Sequence, residues 1–154
     1  MAIDVRAVID VARPREQVAA YLRDPGNDPG WIGGLRSARL VTDPPVGVGS
    51  RVERVASFLG RRVEYVNEIT ELTGTRLAMR SVRSPFPMRV TYGFEDAGDV
   101  TQVSVRVEGD ASRVYRLADP IMAALVRRSV RRDLRTLKRA LENGTGQPGQ
   151  RMAK

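Results

Sequence analysis

The chain has 154 residues, 42% of them hydrophobic, and its 26 Lys and Arg outnumber its 18 Asp and Glu for a formal net charge of +8. These values predict one soluble globular domain, large enough to build a core without disulfide or metal support. The sequence has no cysteine and no histidine, which excludes thiol nucleophiles, Cys/His zinc sites and Ser-His-Asp triads. We therefore expect neither a metal nor a cofactor. Because the sequence has no run of 18 apolar residues and no apolar leader, we expect a cytoplasmic protein.

The first part of the chain predicts a strand, a short helix and a loop. Residues 3–11 alternate mainly apolar with polar side chains, the period of two of a half-buried strand. Pro14 suits the first position of a helix, which is predicted to end before Asp24. Residues 24–34 are too rich in Pro and Gly for regular structure, and Trp31 within them must pack against another part of the molecule.

Residues 35–109 predict six more strands, separated by turns that contain Gly or Pro. At Gly60 and Gly98, glycine supplies the positive φ that a hairpin connection needs. The predicted strands are residues 35–42, 50–59, 62–71, 76–82, 87–95 and 100–109. One face of the last two strands carries Met88, Val90, Tyr92, Phe94, Val103, Val105 and Val107. For strands 50–59 and 62–71, the pattern does not decide which alternate set of residues points inward.

A long amphipathic helix is predicted from Pro120 to Leu141, with Asp119 as its N-cap. Its apolar arc consists of Ala123, Val126, Val130, Leu134, Leu137 and Leu141. Its opposite, cationic face consists of Arg127, Arg128, Arg131, Arg132, Arg135, Lys138 and Arg139. Residues 1–143 therefore form one predicted domain, and residues 144–154 have too little apolar content to be more than a flexible tail.

A helix with one apolar face must cover one face of the antiparallel sheet. If the sheet curves around this helix, a hollow remains between them, and that hollow is the predicted functional site. The chain resembles the START-like or SRPBCC superfamily, in particular the bacterial polyketide cyclase/dehydrase and lipid transport type. The resemblance covers residues 3–142 and rests on Trp31 and the segments IDVARPREQVAAYLRDP, GVGSRVERV, NEITELTGTRLAMRS, PFPMRVTYGFED and RRSVRRDLRTLKRALE. It implies an α+β helix-grip fold, that of the major birch pollen allergen, with a curved seven-stranded antiparallel sheet wrapped around the C-terminal helix.

Residues that point into this hollow are the candidate ligand-binding residues. Tyr65 and Asn67 belong to this set if strand 62–71 turns Ile69 inward, and Trp31 is expected near the mouth. The full set is Trp31, Phe58, Tyr65, Asn67, Met79, Met88, Val90, Tyr92, Val105, Val126, Ser129 and Val130. A few polar groups within an apolar wall are typical of small-molecule sites, although the same apolar residues also suit plain core packing.

A reaction in the hollow would need an acid or a base that is not histidine. Tyr65, Tyr92, Arg54 and Asp133 are the candidate catalytic residues, supplying a proton donor, a cationic clamp and a base. The alternative for Asp133 is a structural pairing at the flank of the helix, with an arginine such as Arg54 or Arg80. No spacing in the sequence brings these four side chains together.

Three functions remain open at this point. We favour a monomeric or homodimeric protein that binds or transports a hydrophobic small molecule, such as a lipid, a polyketide or an isoprenoid-like compound. The second is a cofactor-independent polyketide aromatase/cyclase or dehydratase. The third is an adaptor that uses the cationic helix face to contact another protein or an anionic membrane surface. Nucleic acid is a less suitable partner, since the eight aromatic residues form no stacking motif.

Overall fold

The computed structural model of the protein describes residues 3–143. Seven strands, three α-helices and one 3₁₀ helix follow one another along this part of the chain. The strands are β1 (Ile3–Val11), β2 (Leu35–Leu40), β3 (Arg51–Phe58), β4 (Arg61–Leu72), β5 (Arg76–Arg83), β6 (Met88–Ala97) and β7 (Val100–Gly109). The helices are α1 (Arg15–Arg23), the 3₁₀ helix (Pro25–Gly30), α2 (Ser112–Tyr115) and α3 (Asp119–Glu142).

The strands form one antiparallel sheet in the order β1-β7-β6-β5-β4-β3-β2. Strands β2 to β7 are therefore a simple meander, and β1 joins it at the far edge by pairing Ile3 with Gly109 and Val11 with Thr101. The sheet curls into a half-barrel around α3. The predicted α+β helix-grip fold, with seven antiparallel strands and a long C-terminal helix, is confirmed.

The apolar arc of α3 faces the sheet as predicted. Val130, Leu134, Leu137 and Leu141 are buried in the main core, where they pack with side chains such as Phe94. The C-terminal end of α3 is fixed to the end of β1, because Glu142 accepts a 2.8 Å hydrogen bond from the amide of Ala12 and Lys138 donates to the carbonyl of Asp10.

The sequence does not decide which residues of β3 and β4 point inward, but their burial in the structure does. In β3, Val52 and Arg54 point inward, and both are buried. In β4, Ile69 is buried together with Val63 and Asn67. The condition that the sequence sets for Tyr65 and Asn67 is thus met, since both share the inward face of Ile69.

Several predicted boundaries are wrong by one or two residues, and two short helices were not predicted. Helix α1 begins at Arg15 with Pro14 as its N-cap, and α3 begins at Asp119 with Ala118 as its N-cap. The segment expected to be irregular contains the 3₁₀ helix, because the Asp24 carboxylate accepts from the amide of Gly26 and so caps it. The predicted tail, residues 144–154, lies outside the described residues.

Within residues 3–143, no helix combines the length and the apolar character that crossing a membrane requires.

Candidate functional site

Helix α3 does not lie flat on the whole sheet. Its backbone approaches that of β1 closely and stands farther from the other strands. Two cavities occupy the space that remains, one of about 130 Å³ and one of about 180 Å³. The walls that both cavities share are Ile32, Tyr65, Met88, Val107 and Asp133. The two cavities therefore adjoin each other.

The smaller cavity, here called the Arg54 chamber, lies under the centre of the sheet. Its other walls are Trp31, Arg54, Asn67, Met79, Val90, Tyr92, Val105 and Val130. Cross-strand pairing explains why these side chains meet, because Arg54 is opposite Tyr65, Met79 is opposite Val90 and Tyr92 is opposite Val105. Paired residues on one face of a sheet have neighbouring side chains.

A buried ion pair forms one end of this chamber. Nη1 of Arg54 lies 2.7 Å from Oδ2 of Asp28, and the two side chains are only 4% and 2% exposed. Nη2 of Arg54 contacts Sδ of Met79 at 3.7 Å. Burial raises the pKa of the Asp28 carboxyl, and the neighbouring guanidinium opposes that rise. The guanidinium of Arg54 is therefore held in place by Asp28 and Met79, within a mainly apolar wall.

The 3₁₀ helix places Asp28 behind Arg54, and Trp31, the residue that caps the C-terminal end of this helix, lines the chamber. The carbonyl of Asp28 accepts hydrogen bonds from the amides of Trp31 and Ile32, and Asn27 Nδ2 donates to the carbonyl of Tyr21. The Trp31 ring packs on Tyr92 with a centroid distance of 5.8 Å. Trp31 is 4% exposed, so the expectation that it lies near the mouth is wrong: its ring is part of the buried wall.

Several polar atoms of the chamber have no protein partner. Oδ1 of Asn67, Nε of Arg54 and Nε1 of Trp31 are buried and unpaired. The Trp31 indole lowers the pKa of the Asp28 carboxyl. Its Nε1 nevertheless forms no hydrogen bond of ordinary geometry. Burial raises the pKa values of the Tyr65 and Tyr92 phenols, so both keep their protons in the neutral range. The side chains of these two tyrosines and of Asn67, Arg54 and Trp31 all line the chamber.

Asp133 stands where the two chambers meet. Its Oδ1 accepts a 2.9 Å hydrogen bond from the amide of Gly33 and lies 3.7 Å from Nε of Arg132. Burial raises the pKa of its carboxyl, and the Gly33 amide and Arg132 oppose that rise. The predicted alternative, a pairing of Asp133 with an arginine, is met by Arg132. The two arginines named as examples have other partners, because Arg54 binds Asp28 and Arg80 binds Glu68.

The larger cavity, here called the Phe58 chamber, has mainly apolar walls. Its polar wall residues are Ser57, Tyr65, Asp110, Tyr115, Ser129 and Asp133. It lies between the β3–β4 hairpin, α2 and the first turns of α3. The Tyr115 ring contacts Phe58 at 5.5 Å and Phe86 at 6.3 Å between centroids. The other walls of this chamber include Ile3, Ala56, Val63, Ala111, Met122, Val126 and Ser129.

The predicted site residues all line one of the two chambers. Phe58, Val126 and Ser129 belong to the Phe58 chamber, and the remaining predicted binding residues line the Arg54 chamber. Their roles stay predictions. Of the four candidate catalytic residues, Arg54 and Tyr92 line the Arg54 chamber, whereas Tyr65 and Asp133 line both chambers.

Sequence reasoning missed Asp28 and much of the Phe58 chamber. The missed wall residues are Ile3, Ile32, Gly33, Ala56, Ser57, Val63, Phe86, Val107, Gly109, Asp110, Ala111, Tyr115 and Met122. An inward arginine on β3 signals that a carboxylate must be near. The sequence, however, does not decide which residues of β3 point inward, and Asp28 lies in a segment that it predicts to be irregular. Among residues 3–143, no cluster of three carboxylates is placed to hold a metal ion.

Comparison with known proteins assigns the chain to a family. The model of the family described as polyketide cyclase/dehydrase and lipid transport matches residues 2–142. No curated protein matches the sequence.

Solved structures share the fold at low sequence identity. A START superfamily protein from Mycobacterium smegmatis is 13% identical, with a TM-score of 0.80 over 91% of this chain and 97% of that one. The Zhui aromatase/cyclase from Streptomyces sp. R1128 is 16% identical, with a TM-score of 0.76 over 94% and 96% of the two chains. The ginseng major latex-like protein 151 from Panax ginseng is 14% identical, with a TM-score of 0.67 over 92% and 96%. The chain belongs to the polyketide cyclase/dehydrase and lipid transport family, as its resemblance predicts.

Proposed function

We propose that the protein binds a hydrophobic small molecule, such as a lipid, a polyketide or an isoprenoid-like compound, between the sheet and α3. The observation that carries this proposal is the pair of adjoining chambers, whose walls are mainly apolar with a few unpartnered polar groups. Small-molecule sites are commonly built this way. Each chamber alone is smaller than the roughly 300–1,000 Å³ of such sites, whereas the two together reach the lower end of that range.

Sequestration is the mechanism that fits these walls. The apolar part of the ligand fills the Phe58 chamber, where each Å² of apolar surface removed from water contributes about 25 cal/mol. The polar end lies in the Arg54 chamber, where Asn67 and Tyr92 orient it. Family membership supports the same class of ligand, since the family description includes lipid transport.

Native mass spectrometry beside a denatured extract tests the proposal first. We expect a co-purified small molecule or, for an empty protein, saturable binding of the uncharged fluorophore N-phenyl-1-naphthylamine. Val107 lines both chambers, so Val107→Phe is expected to weaken fluorophore binding at least tenfold. Val82→Phe makes the same change at a side chain that is 37% exposed and is the matched control. An empty protein that binds no fluorophore, or equal loss in both variants, contradicts the proposal.

Catalysis is the second candidate function, and one observation favours it. Two phenols that keep their protons, a guanidinium and a raised-pKa carboxyl face the same space at Tyr65, Tyr92, Arg54 and Asp133. These are the groups that a cyclase or dehydratase needs to polarise a ketone and to move a proton. Tyr92→Phe and Asp133→Asn separate the two functions: retained ligand binding with lost product formation supports catalysis, and changed affinity alone supports sequestration.

The cationic face of α3 supports a further role at an anionic membrane surface. Arg128, Arg131 and Arg135 are exposed, and none of them forms an ion pair with a described residue. Charges that are free of partners are available to lipid head groups. Such contact would bring the chambers close to a lipid source.

A further inference from the structure

The charges around the Arg54 chamber restrict what a ligand can bring into it. Among its described walls, Arg54 and Asp133 are the only charged residues. The positive charge of Arg54 is already compensated by Asp28, which lies behind it at 2.7 Å. The Asp133 carboxylate, at the junction with the Phe58 chamber, has its own partner in Arg132 at 3.7 Å. The chamber therefore presents no net positive charge to a ligand.

An ionised acid would enter this chamber at a large cost. The carboxylate of the ligand would lose its hydration. The guanidinium of Arg54 could not replace that water, because it is already paired with Asp28, whose side chain is 2% exposed. Burying a charge without an opposite charge costs several kcal/mol, far more than burying a neutral polar group that forms hydrogen bonds.

The unpartnered atoms of the chamber match an uncharged oxygen group instead. The buried Oδ1 of Asn67 needs a hydrogen-bond donor, and a carboxylate has no proton to give. A hydroxyl can donate to Asn67 and accept from the Tyr92 phenol. A ketone oxygen can accept from that phenol or from the unpaired Nε of Arg54.

We propose that the ligand presents an uncharged hydroxyl or ketone oxygen to the Arg54 chamber, and that Asp28 excludes ionised acids by compensating Arg54. Asp28 is thus a specificity-determining residue that acts through its arginine partner. This inference rests on the proposed binding function and narrows its ligand class.

Three ligands of equal chain length test the inference on the intact protein. Decan-1-ol, decan-2-one and decanoate each compete with N-phenyl-1-naphthylamine at pH 8, where decanoate is fully ionised. We expect the alcohol and the ketone to displace the fluorophore at concentrations at least tenfold lower than decanoate. Decanoate that competes equally well or better overturns the inference and leaves the binding function in place. A fluorophore that does not bind, or that none of the three displaces, contradicts the binding function and the inference with it.

A charge substitution tests the role assigned to Asp28. Asp28→Asn leaves Arg54 with an uncompensated charge, so the preference for decan-1-ol over decanoate is expected to fall at least tenfold. Asp99→Asn makes the same change in net charge at an exposed turn residue and is expected to keep the wild-type preference. An unchanged preference in folded Asp28→Asn overturns the role of Asp28. If that variant does not fold, the comparison on the wild-type protein still decides whether acids are excluded.

Discussion

The amide of Gly33 donates a 2.9 Å hydrogen bond to Oδ1 of Asp133, a residue one hundred positions later in the chain. This contact joins the loop that carries Trp31 to the middle of α3, at the point where the two chambers meet. It is buried on the helix side, since the Asp133 side chain is 11% exposed. The loop and the helix that close the chambers are thus held together by one polar contact.

The pH dependence of stability should reveal Asp133. Burial raises its pKa in the folded protein above the unfolded value of about 3.9. Between these two values the folded state binds more protons than the unfolded state, so this residue's contribution to stability falls as pH rises through that window. The Asn side chain of Asp133→Asn does not titrate, so the variant does not lose this contribution to stability as pH rises. We expect the free energy of unfolding of the variant, relative to wild type, to increase from pH 3 to pH 7 in urea titrations.

The exposed Asp99→Asn variant makes the same change of side chain and is the control for this experiment. A relative stability of Asp133→Asn that is constant or decreases with pH contradicts the assignment.

The buried pair of Arg54 and Asp28 should behave as a unit. Arg54→Met leaves a buried carboxylate without its partner and is expected to cost about 3–5 kcal/mol of unfolding free energy. Once Asp28 is already Leu, the same substitution should cost far less, because no charge is left unpaired. A double-mutant cycle from urea unfolding measures this difference. Additive effects of the two substitutions would show that the two side chains do not stabilise each other.

Gly34 is expected to tolerate no side chain. Its φ is +81°, and a Cβ there would lie 2.3 Å from the backbone carbonyl oxygen of Ser57. Gly60 has a similar φ of +77° with open space around the same position. Gly60→Ala should therefore cost only the left-handed backbone strain, about 1–2 kcal/mol, and Gly34→Ala clearly more. Thermal unfolding of the two variants compares them directly, and equal losses would refute the close approach of β3 to this loop.

Membrane contact through α3 is tested by charge removal. Replacing Arg128, Arg131 and Arg135 by Gln should abolish flotation with vesicles that contain anionic lipid, while fluorophore binding in the chambers persists. The control removes three other exposed arginines, Arg23, Arg83 and Arg89, and so changes the net charge equally. Flotation that survives in the first variant, or is lost in both, argues against a role for this helix face.

The sequence predicts the fold well because its strongest patterns are local. Val103, Val105 and Val107 alternate along β7, and the apolar arc of α3 repeats at helical spacing, so each element's buried face follows from its own residues. The α2 turn escapes prediction because four residues are too few to carry a period.

The site is harder to predict because its polar part depends on contacts between distant segments. Arg54 and Asp28 are separated by 26 positions, and Gly33 and Asp133 by 100. Neither pairing leaves a trace in local spacing. The inward face of β3, and with it the position of Arg54, follows only from the folded structure, in which Val52 and Arg54 are buried.

The position of β1 governs the order in which the chain can assemble. This strand is made before its hydrogen-bonding partner β7, which ends at Gly109, and before its covering helix, which ends at Glu142. The apolar side chains of Ile3 and Val5 can be buried only after both β7 and α3 have been synthesised. Contacts of such high sequence separation slow folding and leave an unpaired strand exposed to aggregation meanwhile. The edge strand β1 is therefore completed only after the last strand and the last helix are in place.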